Sequence, residues 1–122
     1  MSYVDGFLLP VPTARIDEYR ELARTASEVW LEHGALEYVE CLAEDVQPGE
    51  HTSFPRAVMQ EDGETVVFAW IRYESREHRD RVNERAMADP RLAGMTPGNM
   101  PFDGKRLIWG GFVPFEDRRG GA

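Results

Sequence analysis

The stretch TVVFAWIRY at residues 65–73 is apolar on both of its faces, and this limits the possible folds more than any other feature of the chain. A strand sends alternate side chains to opposite sides. Val67, Ala69 and Ile71 therefore point one way, and Val66, Phe68 and Trp70 the other. A sheet with helices on one side and water on the other should instead alternate apolar and polar residues. Two further candidate strands break that rule in the same manner. In YVDGFLLPV (3–11), Tyr3, Phe7 and Leu9 oppose Val4 and Leu8. In RLIWGGFV (106–113), Leu107 and Trp109 oppose Ile108 and Phe112.

The segments between these strands supply two helices. Thr13 is read as the cap of a helix running to about His33, on which Ile16, Tyr19, Ala23, Ala26 and Trp30 form a stripe that Leu22 and Val29 widen. Gly34 suits the residue just past its end. A second strand is expected at 35–42, followed by the polar loop EDVQPGEHTSFP. RAVMQ (56–60) is read as a short extra strand leading into 65–73. Ser75 then caps a second helix to about Ala88, with Val82, Ala86 and Met87 inward, and Asp89-Pro90 ends it. The order β-α-β-(β)-β-α-β predicts an α+β fold of the ferredoxin-like, split βαβ type, an antiparallel sheet with two helices on one face.

Two helices cover only one face. Leaving the other bare forgoes about 1.5–3 kcal/mol for each large apolar side chain. A second copy of the same sheet is the simplest cover, so the expected partner is the chain itself, in a homodimer.

With 122 residues, the chain predicts one domain over 1–116 and a flexible tail at 117–122. No apolar run reaches the roughly 18–20 residues of a membrane span. MSYVDGF lacks the basic and apolar regions of a signal peptide, and Cys41 has no second cysteine to pair with. Both point to the cytoplasm. A net charge of −8 argues against nucleic acid as a partner, because that binding rests on Lys and Arg neutralising phosphate.

The residues able to carry chemistry are few. GNMPFDGKR (98–106) places five residues between Gly98 and Gly104, where a phosphate-binding loop has four before its Gly-Lys pair, and Arg106 follows where Ser or Thr would hold magnesium. Asp103-Gly104 reads as a turn, and Gly110-Gly111 as a bulge or a close backbone approach. His33, His51 and His78 lack metal-ligand spacing and read as surface or capping residues. Cys41 has no neighbouring base and reads as buried. No metal and no cofactor are expected. Five residues remain as candidates for ligand binding. Phe68, Trp70 and Trp109 offer aromatic walls, while Asp5 and Arg72 are charges on apolar strand faces, which must pair or reach water. They are either a structural Asp–Arg bridge or polar anchors in a mostly apolar cavity.

YVDGF (3–7), YVEC (38–41), VVFAWI (66–71), DPR (89–91) and MPFDGKRLIWGGF (100–112) resemble the YbaA-like bacterial family, domain of unknown function family 1428. The resemblance implies a dimeric α+β barrel in which two ferredoxin-like sheets pack face to face. It assigns no reaction, although the wider superfamily includes cofactor-free monooxygenases. The expected function is a homodimer that binds a small, partly apolar molecule in its barrel, with monooxygenase-like chemistry needing no cofactor. The alternative is a non-catalytic structural or interaction protein with a closed, packed barrel, and whether the chain is an enzyme is left open.

Overall fold

The computed structural model describes residues 2–121. β1 (Tyr3–Pro12), β2 (Glu37–Leu42), β3 (Glu64–Tyr73) and β4 (Ile108–Phe112) form a four-stranded antiparallel sheet in the order β2-β3-β1-β4. α1 (Ile16–Glu32) joins β1 to β2, and α3 (Arg76–Met87) follows β3. A single helical turn, α2 (Phe54–Ala57), interrupts the link between β2 and β3. The fold is α+β, with β2 and β4 left as open edges.

β1 and β3 pair along ten residues, from Tyr3↔Tyr73 to Pro12↔Glu64. β1 runs one residue past the expected end, through two prolines that a central strand normally excludes. The register explains them. The Thr13 N–H donates to Gly63 O at 2.8 Å, so the odd-numbered amides of β1 face β3. Pro10 and Pro12 turn their missing N–H toward the other side, where β4 stops pairing at Leu8.

Two core clusters lie on the odd-numbered face of β1 and β3. Leu9, Val11 and Val67 pack with Tyr19 of α1, and Ile71 and Tyr73 pack with Val82 of α3 and Ala35. Both long helices therefore cover the same face. The other face carries Val4, Leu8, Phe68, Trp70, Ile108 and Phe112, and stays largely open: Phe68 is 46 % exposed and Phe112 64 %. On it the Phe112 ring lies over the facing glycines Gly6 and Gly110, where an added Cβ would meet the ring at 3.7 and 3.6 Å.

Several local expectations change. Residues 56–60 are not a strand, because Ser53-Phe54-Pro55 starts a helix: Ser53 Oγ accepts from the Arg56 N–H at 3.1 Å, with Pro in the first turn. Thr13 caps nothing; Thr13–Arg15 form a 3-10 turn, and α1 begins at Ile16. The end of α1 is as expected, with Gly34 at φ +118°, where a side chain would be strained. Ser75 caps α3 by accepting from the His78 N–H at 3.1 Å. Met87 is exposed rather than inward. The last strand starts only at Ile108, because Gly104–Arg106 form a 3-10 turn in which Asp103 Oδ1 accepts from the Lys105 N–H at 3.0 Å. Arg106 then clamps that turn to β3 through two 2.7 Å bonds to the Glu64 carboxylate, and donates to Met59 O at 3.0 Å. The DGKR stretch is a fastener between the last strand and the sheet.

Candidate functional site

The five candidate residues do not share a face. Asp5 pairs with Ile71 and Trp109 with Phe7, so both point toward the helices. Phe68, Trp70 and Arg72 pair with Leu8, Gly6 and Val4 and point away from them. The proposed Asp5–Arg72 bridge is therefore corrected, since neighbouring positions in register cannot face each other through the sheet. Arg72 instead donates to Ser2 Oγ at 2.9 Å and Asp117 Oδ2 at 3.0 Å, with Glu37 Oε1 3.6 Å from its Nε. The Trp70 indole N–H donates to the same Glu37 oxygen at 2.7 Å. Asp117, the first residue of the expected tail, is thus tied to the sheet.

Asp5 is 1 % exposed and accepts from Arg79 Nη1 at 3.0 Å. Burial pushes its carboxyl above the ordinary aspartate value, against the pull of the Arg79 guanidinium and the Tyr73 hydroxyl. Arg79 also donates to Tyr3 Oη at 3.3 Å, and its guanidinium carbon lies 5.0 Å from the Tyr3 ring centre and 6.0 Å from that of Trp109. Gly111, opposite Asp5, makes room for this arrangement: a Cβ there would come within 2.7 Å of the Tyr3 ring. The expected close approach at Gly110-Gly111 is real, and the pairing through both glycines is regular, with no bulge.

Between this face of the sheet, α1, α3 and the connection that follows α3 lies a cavity of about 670 Å³. Its walls are mostly apolar. Ala26 of α1 and Ala69 of β3 both line it, and as methyl groups they leave space that larger residues would fill. Asp5 and Trp109 reach it; Phe68, Trp70 and Arg72 do not. Phe68 and Cys41 instead border a smaller hollow of about 160 Å³ beside Phe54 of α2, on the opposite face. Cys41 is half-buried there, short of the burial expected for it.

The main polar groups of the large cavity were not singled out from the sequence. Glu40, on β2, accepts from the Tyr19 hydroxyl through Oε1 and from the Tyr38 hydroxyl through Oε2, the latter at 2.8 Å. Burial first, and the Glu40 carboxylate second, push both phenols well above the ordinary tyrosine value. Asn83 Oδ1 accepts from Trp30 Nε1 at 3.0 Å and Tyr73 Oη at 3.2 Å. An indole N–H can only donate, so the accepting atom is the amide oxygen, and Nδ2 is the donor left over. One signal for Glu40 was its place two residues after Tyr38 on a strand, which gives both the same face. For Arg79 it was the spacing Arg79-Val82-Ala86, which sets an arginine on the buried stripe of α3.

Two of the three histidines, His33 and His78, serve as structural contacts. His33 Nε2 lies 2.9 Å from Asp89 Oδ2, and Asp89 also holds Arg91, joining the end of α1 to the connection after α3. His78 Nδ1 accepts from the Glu74 N–H at 2.9 Å, and His51 is exposed. Among the described residues, no three of His, Cys, Asp and Glu are grouped to hold a metal ion, and no helix is long and apolar enough to cross a membrane.

Residues 2–104 match the family described as "Protein of unknown function (DUF1428)". The chain is 51 % identical over 117 residues to "Uncharacterized protein YbaA" of Escherichia coli strain K12, covering 96 % of this chain and 99 % of the relative. The protein of the same name from Shigella flexneri matches equally. Among solved structures, "De novo designed protein Foldit4" aligns with a TM-score of 0.48 at 14 % identity, over 93 % of this chain and 99 % of that one.

Proposed function

The chain belongs to the family of unknown function DUF1428, and from that premise we propose that it binds a small, largely apolar molecule in the cavity between its sheet and its helices. The observation that carries this reading is the cavity itself. Its volume of about 670 Å³ falls in the range of roughly 300–1,000 Å³ usual for ligand sites. Its few polar groups converge from separate elements, Glu40 from β2, Asn83 from α3 and Asp5 from β1, as orienting groups in such sites do. The expected location inside a barrel, against Phe68, Trp70 and Arg72, gives way to the helix side of the sheet.

The exposed aromatic face supports a second part of the proposal: two copies associate through their helix-free faces, closing a dimeric α+β barrel. Phe68, Ile108 and Phe112 are too large a group of exposed apolar side chains for a monomer surface to carry without use. The Phe112 ring, lying over Gly6 and Gly110, spreads apolar surface across the middle of that face for another sheet to pack against.

Titration with 9-anthracenemethanol, followed by quenching of tryptophan emission, tests the binding site. One equivalent bound per chain, abolished by Ala26→Phe, supports the reading. Absence of binding, together with strong destabilisation by Ala26→Phe, would favour the packed, non-catalytic alternative. Cofactor-free, monooxygenase-like chemistry is the further step of this reading, and oxygen uptake matched to turnover of a bound aromatic substrate is its test.

A further inference from the structure

The polar groups of the cavity are unequal in what they offer an occupant. Each tyrosine hydroxyl at Glu40 has one proton, and both protons are spent on that carboxylate. The Trp30 N–H is spent on Asn83. At Glu40 what remains is acceptor capacity, the phenol oxygens and the unused lone pairs of a carboxylate with about four acceptor sites, while the donor left over, Asn83 Nδ2, lies apart on α3. Among the described residues, no Lys, Arg or His lines the cavity. The buried guanidinium of Arg79 is engaged by Asp5, Tyr3 and Asp80. With Asp5 matched by Arg79, Glu40 is the lining charge that no cation balances.

An anionic occupant would meet carboxylates and find no cation to pair with. A cationic one would find Glu40 flanked by Tyr19 and Tyr38, with Trp30 and Phe102 among the aromatic walls. Ring faces attract cations through their quadrupole, and a desolvated site strengthens that attraction. The acidic chain, at −8, adds a long-range field of the same preference.

We propose that the cavity takes an apolar, ring-sized molecule bearing a protonated amine, with the ammonium group held at Glu40 between Tyr19 and Tyr38. This rests on the cavity being a ligand site, and it assigns the chemical class that the site selects.

Three probes with one ring system and different charge separate the two ideas: 9-(aminomethyl)anthracene as its ammonium form, 9-anthracenemethanol, and anthracene-9-carboxylate. Each is titrated at neutral pH and low salt against the full chain and against Glu40→Gln. The ammonium should bind about tenfold tighter than the alcohol, the scale of one charge-assisted hydrogen bond. The carboxylate should bind weakest. Glu40→Gln should erase the advantage of the ammonium and leave the alcohol within about threefold of its original affinity. If that variant does not fold, the ranking on the unaltered chain decides. Equal binding of all three, tighter binding of the carboxylate, or an ammonium advantage that survives Glu40→Gln overturns the charge assignment while the ligand site stands. Binding of none of them overturns both.

Discussion

Arg79 Nη1 stands 3.0 Å from Asp5 Oδ1, joining a helix to a strand 74 residues earlier in the chain, with both side chains withdrawn from solvent. A buried pair of this kind is costly to break from one side, because the charge left behind keeps only weaker support, for Asp5 the Tyr73 hydroxyl. Arg79→Met should therefore destabilise the protein by about 3–5 kcal/mol, and Asp5→Asn combined with it should cost less than the sum of the single changes. Urea unfolding of the three variants measures this, and a cost below about 1 kcal/mol for Arg79→Met would contradict the buried pairing.

Trp70 lies on the face that no long helix covers. Trp70→Ala should make the unfolding midpoint depend more steeply on protein concentration, because folding and association are coupled when two sheets bury each other. Thermal melts across a hundredfold range of protein concentration, with sedimentation of the unaltered chain at micromolar concentration, check the point. A folded monomer as the single species in sedimentation would remove the dimer.

Gly111 is required by the Tyr3 ring rather than by backbone conformation. Gly111→Ala should cost about 1–3 kcal/mol, the usual scale of overpacking, by pushing Tyr3 off Arg79. In a Tyr3→Ala background the same substitution should be nearly neutral. Equal cost in both backgrounds would show that the ring is not the obstacle.

The Glu64–Arg106 clamp predicts an acid limb of stability. Bonds from Arg106 hold the Glu64 carboxyl below its ordinary value of 4.5 in the folded chain. The folded state thus binds this proton less readily than the unfolded one, so the contribution is complete above pH 4.5 and is lost as pH falls through the lower, folded value. Glu64→Gln should lower stability at neutral pH and flatten the decline below pH 4.5, measured as urea midpoints between pH 7 and 3. An acid limb unchanged by Glu64→Gln would assign it to other carboxyls.

Much of the architecture was legible in the sequence, because it rests on periodicity and local chemistry. Alternation in TVVFAWIRY separated the two faces of β3, the stripe from Ile16 to Trp30 set the inner side of α1, and Ser75 and Gly34 marked helix ends through their own side chain or lack of one. The extra strand at 56–60 was misread because its apolar residues hid the stronger start signal of Ser53 and Pro55. The candidate site was less legible, for a physical reason. Parity within one strand says nothing about its relation to parity in another, and that relation is fixed by register. The pairing of Val4 with Arg72 and of Asp5 with Ile71 sends the two charges to opposite sides. Glu40, Tyr19 and Asn83 come to one cavity only through tertiary packing, and the one local mark among them is the Tyr38-Glu40 spacing on β2.

Of the two inner strands, β1 has both of its partners later in the chain. Pro12 meets Glu64 and Tyr3 meets Tyr73, and β4 follows only from residue 108. During synthesis, at roughly 5–20 residues per second, the apolar YVDGFLLPVP segment leaves the ribosome several seconds before β3 exists. Neither α1 nor β2 can complete the sheet in that interval, because β2 pairs with β3 and not with β1. The nascent chain thus offers an adhesive amino-terminal segment to whatever escorts new polypeptides, and folding waits for the hinge of the whole topology, β3, to emerge.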